Sequence, residues 1–265
     1  GLYSGNEREL DADFIFCTVQ TINSDHHLHK FSKDQFDYII IDETHHAGAM
    51  TYKKVLEYFT PQFLLGMTAT PERTDGFDIF ALFNHSVAYE IRLQKAMEAD
   101  LLAPFHYFGI TDISVNGSLL DEKSDFSKLI SNDRVEHIIK TIDEYGCDSD
   151  VIRGLIFCSR IDEARQLSLA FNLRGFNTLP ITGGDSEKAR EDAIRRLESD
   201  GDDKLDYLFT VDVFNEGVDI PQVNQVVMLR PTTSAIIFVQ QLGRGLRKAV
   251  GKDYVTVIDF IGNYQ

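Results

Sequence analysis

Long apolar runs, basic side chains and cysteines are all scarce in this chain, and each scarcity excludes a class of protein. No stretch of about 18 consecutive apolar residues occurs, so no membrane-spanning helix is expected. Gly1 to Leu10 lacks a basic stretch followed by an apolar one, so no secretory leader is read there. Cys17, Cys147 and Cys158 lie far apart and form no metal-ligand pattern. They point to reduced thiols in a cytoplasmic protein. Basic residues are outnumbered, 26 against 42 acidic, for a net charge of -16. A chain that grips nucleic acid through phosphates usually carries a basic surface. The balance therefore argues against tight nonspecific binding by this chain alone. It leaves room for a basic groove on an acidic body, and for phosphates held by polar backbone groups. The apolar fraction, 43% of 265 residues, is enough for a core in one large domain or two ordinary ones.

Short apolar segments rich in β-branched and aromatic residues recur along the chain: 14–19, 38–41, 63–66, 106–110, 154–158, 177–181, 207–211, 225–229 and 254–260. Most are continuous rather than alternating, which is how strands buried on both faces of a parallel sheet read. Helical spacing runs over 133–145, 161–173, 186–197 and 233–246. Ser186 offers an N-terminal cap, with Asp185 as an alternative. Strands alternating with helices imply a parallel α/β sheet. Residues 93–131 break the rhythm, and a boundary is expected near 105–130. The first half holds about three strands and reads as incomplete, whereas the second reads as one full α/β domain.

Three constellations carry chemistry. The strand Tyr38–Ile41 runs into Asp42-Glu43-Thr44-His45-His46. Ligand crevices form at the carboxyl ends of parallel strands. One carboxylate there can hold Mg²⁺ largely through its water shell, while its neighbour orients or deprotonates a water. The plain alternative is an acidic pair at a helix start. Adjacent histidines suit zinc poorly, and His26, His27 and His29 read as a polar loop. Next, Gly66-Met67-Thr68-Ala69-Thr70-Pro71 follows an apolar run. Its two hydroxyls suit a relay that switches partners, or simply a turn before Pro71. Finally, Arg244 and Arg247, three apart in Gln240-Gln241-Leu242-Gly243-Arg244-Gly245-Leu246-Arg247, share a helix face. Guanidinium groups suit a phosphoryl-transfer transition state. The alternative is a surface ion-pair patch, which the flanking glycines weaken.

Taken together, Asp42-Glu43-Thr44-His45, Thr68-Ala69-Thr70 and Gln240-x-x-Gly243-Arg244-x-x-Arg247 resemble motifs II, III and VI of superfamily 2 (DExH-like) helicases. Residues 154–159 and 210–221 resemble motifs IV and V, and Phe16 to Thr21 resembles the nucleic-acid-touching motif before motif II. The resemblance leans toward the restriction and DNA-repair branch. It implies two RecA-like lobes with ATP between them: the C-terminal part of lobe 1 at 1–105, a linker at 106–130 and lobe 2 at 131–265. It implies Asp42 and Glu43 for Mg²⁺ and the hydrolytic water, and Arg244 and Arg247 as arginine fingers. Gln240, Gly217 and Asp219 would lie near the nucleotide, with His45, Thr68 and Thr70 coupling. Gln20, Thr21, Thr182, Gly183 and Thr210 would face the nucleic-acid backbone, DNA rather than RNA. No glycine begins the phosphate-cradling pattern G-x-x-x-x-G-K-[ST]. That loop is expected upstream of Gly1, and this chain alone is expected to be inactive. A noncatalytic helicase-like scaffold, or the motor subunit of a restriction or repair complex with further domains or subunits, remains an alternative.

Overall fold

The computed structural model describes residues 1–5, 7–46, 50–68, 78–112, 114–115, 118–119, 126–211, 220–229, 243 and 246–261. They divide into two compact units, Gly1–Glu90 and Ile91–Gln265.

The first unit contains two parallel strand pairs. β1 (Leu2–Tyr3) lies beside β2 (Phe16–Cys17), and β3 (Tyr38–Ile41) beside β4 (Phe63–Gly66). Its described α-helices are α1 (Val19–Ile22), α2 (Asp25–Leu28) and α3 (Met50–Tyr58). The apolar run 14–19 is a strand only at Phe16–Cys17. Thr18 is extended and caps α1, its hydroxyl accepting from the Thr21 amide at 3.4 Å, so the chain turns helical at Val19. Tyr3, Ile22, Leu28, Phe31 and Phe59 form the core. The expected polar histidine loop is corrected: residues 25–28 are helical. The Tyr3 hydroxyl lies 2.7 Å from His27 Nδ1, so that ring belongs to the core's polar margin.

In the second unit, α4 (Leu93–Glu98) precedes β5 (Phe105–Thr111) and the hairpin of β6 (Ser114–Val115) and β7 (Ser118–Leu119). Next come α5 (Phe126–Leu129), α6 (Asn132–Tyr145), β8 (Gly154–Phe157), α7 (Ile161–Asn172), β9 (Thr178–Ile181), α8 (Glu187–Glu198), β10 (Tyr207–Thr210), β11 (Gln225–Met228) and β12 (Val255–Ile261). Six of these strands make one parallel sheet in the order β5-β12-β11-β8-β10-β9. The chain divides at Glu90 and Ile91, because β5, placed in the linker from sequence, pairs along its whole length with β12.

Both faces of the sheet are covered, which is why its central strands are continuously apolar. Leu155, Phe157, Leu208, Val226 and Val257 pack with Ala193 and Leu197 of α8. On the other face, Ile156, Phe209, Val227 and Ile258 pack with Val135 and Ile138 of α6 and Ala164 and Leu167 of α7. Each such fully buried aliphatic or Phe side chain contributes about 1.5–3 kcal/mol relative to exposure. α6 starts at Ser131, whose hydroxyl accepts from the Arg134 amide, and stops at Gly146, which adopts φ +59°. The helical pattern at 233–246 lies outside the described residues apart from Gly243 and Leu246.

Candidate functional site

The carboxylates stand where the strand ends. β3 and β4 run in register, Ile41 opposite Gly66, and Met67 donates its amide to the Ile41 carbonyl at 2.8 Å. Thr44 then ties the two following turns together. Its amide donates to the Met67 carbonyl at 2.9 Å, and its hydroxyl lies 2.9 Å from the Ile41 carbonyl and 3.0 Å from that of Met67. Gly66 makes this possible: a Cβ there would meet the Phe83 ring and sit 2.8 Å from the Thr44 hydroxyl.

Between Ile41 and Thr44 the backbone makes an uncommon turn. Glu43 has φ +48° and donates its amide to Asp42 Oδ1 at 2.9 Å. A non-glycine residue held there costs about 1–2 kcal/mol, so the surrounding bonds hold it in place. The result exposes Asp42 and turns the Glu43 carboxylate back, with Oε2 3.4 Å from His45 Nδ1. The same nitrogen lies 3.1 Å from the Thr68 hydroxyl, and His45 is buried. Asp42, Glu43, His45 and Thr68 are thus brought together within the first unit. The oxygens of Asp42 and Glu43 fit Mg²⁺, which takes one or two carboxylates and fills the rest of its shell with water and phosphate. Among the described residues no group of three or more His, Cys, Asp or Glu could hold a metal, so a caged ion such as structural zinc is not built there.

In the second unit, Leu246 is pinned by its carbonyl, which accepts from the Ala103 amide at 2.8 Å, and Arg247 follows it at the surface. Thr70, Gly217, Asp219, Gln240 and Arg244 lie outside the described residues.

Gln20 is exposed on α1, and Thr21 is half-buried with its hydroxyl 2.9 Å from that of Thr18. Register sets the remaining expected contacts. Phe157, Thr210 and Ile181 are paired across β8, β10 and β9, so the turns after these strands open at one edge of the sheet. Gly183 is exposed there, its carbonyl accepting from Arg190 at 2.9 Å. Thr182 and Thr210, expected to face the nucleic-acid backbone, have inaccessible side chains here. The Thr182 side chain is buried, because its hydroxyl and amide both donate to Asp185 Oδ2, at 2.9 and 2.7 Å. Thr210 is fully buried because it is the last residue of a central strand, and its hydroxyl has no hydrogen-bond partner.

Sequence reasoning missed a buried charge network beside this edge. Arg134 Nε lies 3.0 Å from Asp112 Oδ2, and its Nη1 lies 2.7 Å from Glu163 Oε1 and 2.9 Å from the Leu129 carbonyl. The other Glu163 oxygen accepts from the Ser159 amide at 2.9 Å. All three side chains are nearly inaccessible. Burial works against the Arg134 charge, yet Asp112 and Glu163 together hold its pKa above the ordinary value. Next to the network, Cys158 is fully buried, and burial raises its thiol well above the usual range. One signal was available: Arg134 sits four residues before Ile138 and eight before Ile142, on the apolar stripe of α6.

Residues 1–73 match the family described as type III restriction enzyme, res subunit, and residues 133–249 match the helicase conserved C-terminal domain. A Saccharomyces cerevisiae protein that carries the name ATP-dependent helicase IRC3 is 29% identical over 269 residues, covering 95% of this chain and 37% of its own length. The EcoAI endonuclease subunit, a type I restriction enzyme of Escherichia coli, is 27% identical, covering 86% of this chain and 32% of its own. Among solved structures, a fragment of an HsdR-type subunit of a type I restriction enzyme from Vibrio vulnificus YJ016 superposes with a TM-score of 0.77. It is 25% identical and covers 99% of this chain and 50% of that one. The chain therefore spans about a third to a half of the length of these relatives.

Proposed function

Because this chain belongs to the superfamily 2 helicases of the restriction and repair type, we propose that it is part of an ATP-driven motor that moves on nucleic acid, DNA in the first instance. The observation that carries this reading is the pair of carboxylates at the end of β3, with Glu43 held in the left-handed region and linked through His45 to Thr68. In this reading Asp42 holds Mg²⁺, which neutralises phosphate charge when bound. Glu43 orients the attacking water and accepts its proton. His45 and Thr68 report the state of that carboxylate to the turn after β4. The same reading assigns Arg244 and Arg247 the role of arginine fingers, and Gln240, Gly217 and Asp219 that of nucleotide-binding residues.

A phosphate-gripping loop is required and does not occur in these 265 residues. We assign it to a further segment of the same protein. The first unit supports this, since Phe16, Tyr38, Ile40 and Phe63 leave β2, β3 and β4 with large exposed apolar side chains that such a segment would cover. The match to restriction-enzyme subunits favours additional domains or subunits as partners. Among the described residues no helix is long and apolar enough to cross a membrane. The compartment we propose is the cytoplasm.

The test is Glu43→Gln in the full-length protein. ATP turnover stimulated by nucleic acid should fall by about 10²–10⁴-fold, the usual worth of a positioned general base. Nucleotide binding, followed with a fluorescent analogue, should persist. Turnover at the wild-type rate would remove Glu43 from the role assigned to it.

A further inference from the structure

The Arg134 network is buried, charged and costly, and the proposed hydrolysis makes no use of it. One guanidinium stands between two carboxylates with almost no access to water. Buried ion networks of this kind rarely add stability over a well-packed apolar core, since desolvation offsets the attraction. The positions it joins suggest what it does instead. Asp112 directly follows β5, Arg134 lies in the first turn of α6, the Leu129 carbonyl ends α5, and Glu163 lies in the first turn of α7.

Glu163 is the hinge of the arrangement because both of its oxygens are engaged. One accepts from Arg134, and the other accepts from the Ser159 amide. Cys158, Ser159 and Arg160 are the three residues between β8 and α7, and Ser159 and Arg160 form the turn itself. They lie on the same edge of the sheet as Thr182, Gly183 and Val211, where the turns after β8, β9 and β10 open together. Arg160 is the N-cap of α7, and the Glu163 carboxylate holds the turn before it through the Ser159 amide.

We propose that Arg134, together with Asp112 and Glu163, is a positioning lock that sets the turn Ser159–Arg160 for contact with the nucleic-acid backbone. The proposal rests on the motor reading above. Arg134 acts through Glu163 and touches no ligand itself. Its bridge also ties the turn to the chain that follows β5, so a shift of that segment would be felt at the nucleic-acid edge.

The test uses the full-length protein and the variant Glu163→Gln, which keeps the side chain's shape but replaces one of two required acceptors with a donor. Four readouts are taken: hydrogen exchange at the Ser159 amide, the concentration of a labelled DNA oligonucleotide giving half-maximal ATPase stimulation, the ATPase rate without DNA, and the melting midpoint. The lock predicts faster exchange at Ser159 and a half-saturating DNA concentration raised about tenfold. It also predicts a DNA-free rate within about twofold of wild type, because a change confined to the turn leaves the carboxylates of the first unit alone. If Glu163→Gln does not fold, Asp112→Asn, which keeps an acceptor for Arg134 at lower charge, should show the same pattern at smaller size. Unchanged exchange at Ser159, or a lowered melting midpoint with unchanged DNA dependence, overturns the lock. A wild-type protein stimulated by neither DNA nor RNA overturns the motor reading and the lock's nucleic-acid role together, and exchange at Ser159 tells the two failures apart.

Discussion

At the scale of single residues, Glu43 and Gly66 show backbone and side chain constrained together. Glu43 stands at φ +48°, where a glycine would be relaxed. Glycine in its place removes about 1–2 kcal/mol of strain while loosening the unfolded chain by about 0.5–1 kcal/mol. Glu43→Gly should therefore leave the thermal midpoint of the chain unlowered, although it removes the proposed base. A clear drop in that midpoint, read by calorimetry, would show that the carboxylate's bond to His45 outweighs the strain. Gly154 makes the opposite point. A Cβ there would overlap the Tyr207 ring, whose hydroxyl is fixed 2.6 Å from Gln225 Oε1 while Gln225 Nε2 donates to the Gly146 carbonyl at 2.7 Å. The ring cannot step aside without breaking that chain, so Gly154→Ala should cost about 1–3 kcal/mol in urea unfolding.

At the scale of elements, caps and strand ends decide where order begins. Ser186 is extended, and its hydroxyl accepts from the Ala189 amide at 3.3 Å, so it is the side chain that opens α8. Ser186→Ala should destabilise by about 1 kcal/mol, lowering the melting midpoint by about 2–4 °C for a unit of this size. The alternative cap, Asp185, is occupied by Thr182 and would not rescue the variant. β12 carries a pH-sensitive group. Burial raises the Asp259 carboxyl above its ordinary range, partly opposed by the hydrogen bond from the Tyr107 hydroxyl at 2.8 Å. Because its folded pKa is the higher one, the unfolded chain releases this proton first. The contribution of Asp259 is therefore fully present below the ordinary carboxylate range and is lost as pH rises through the raised value. Comparing urea unfolding of wild type and Asp259→Asn across that window, the wild type should lose ground to the variant as pH increases. A constant difference would mean that Asp259 does not titrate there.

At the scale of the whole molecule, a net charge of -16 must be reconciled with a nucleic-acid partner. The sheet edge carries Arg160, Lys188 and Arg190, but Asp185 and Glu187 stand among them. Grip on the backbone would then rely on few cations and on polar groups. Counterion release predicts a shallow salt dependence, a log–log slope of about -3 or less in magnitude for DNA binding by the full-length protein. A slope steeper than about -6 would require phosphate contacts that this edge does not contain. The exposed apolar side chains along β2, β3 and β4 belong to the same scale, since they concern what covers the first unit rather than how it is built.

Much of this was legible in the residues alone. Continuous apolar runs located β3 and β4 to the residue and the strands of the second unit to within about a residue or two; for the central strands of the second unit, burial on both faces leaves no alternation to misread. The spacing of Asp42, Glu43 and His45 after such a run marked the candidate site for the same local reason. What lay beyond the sequence was whatever depends on partners distant along the chain. The membership of β5 in the second unit came from pairing with β12, some 150 residues later. The burial of Thr210 and the turn held by Thr182 came from sheet register and a carboxylate three residues on. The triad of Asp112, Arg134 and Glu163 came from packing that joins three separate elements. Periodicity records which face of an element is apolar, whereas only the tertiary structure decides which elements meet, and so which polar groups must find one another once water is excluded.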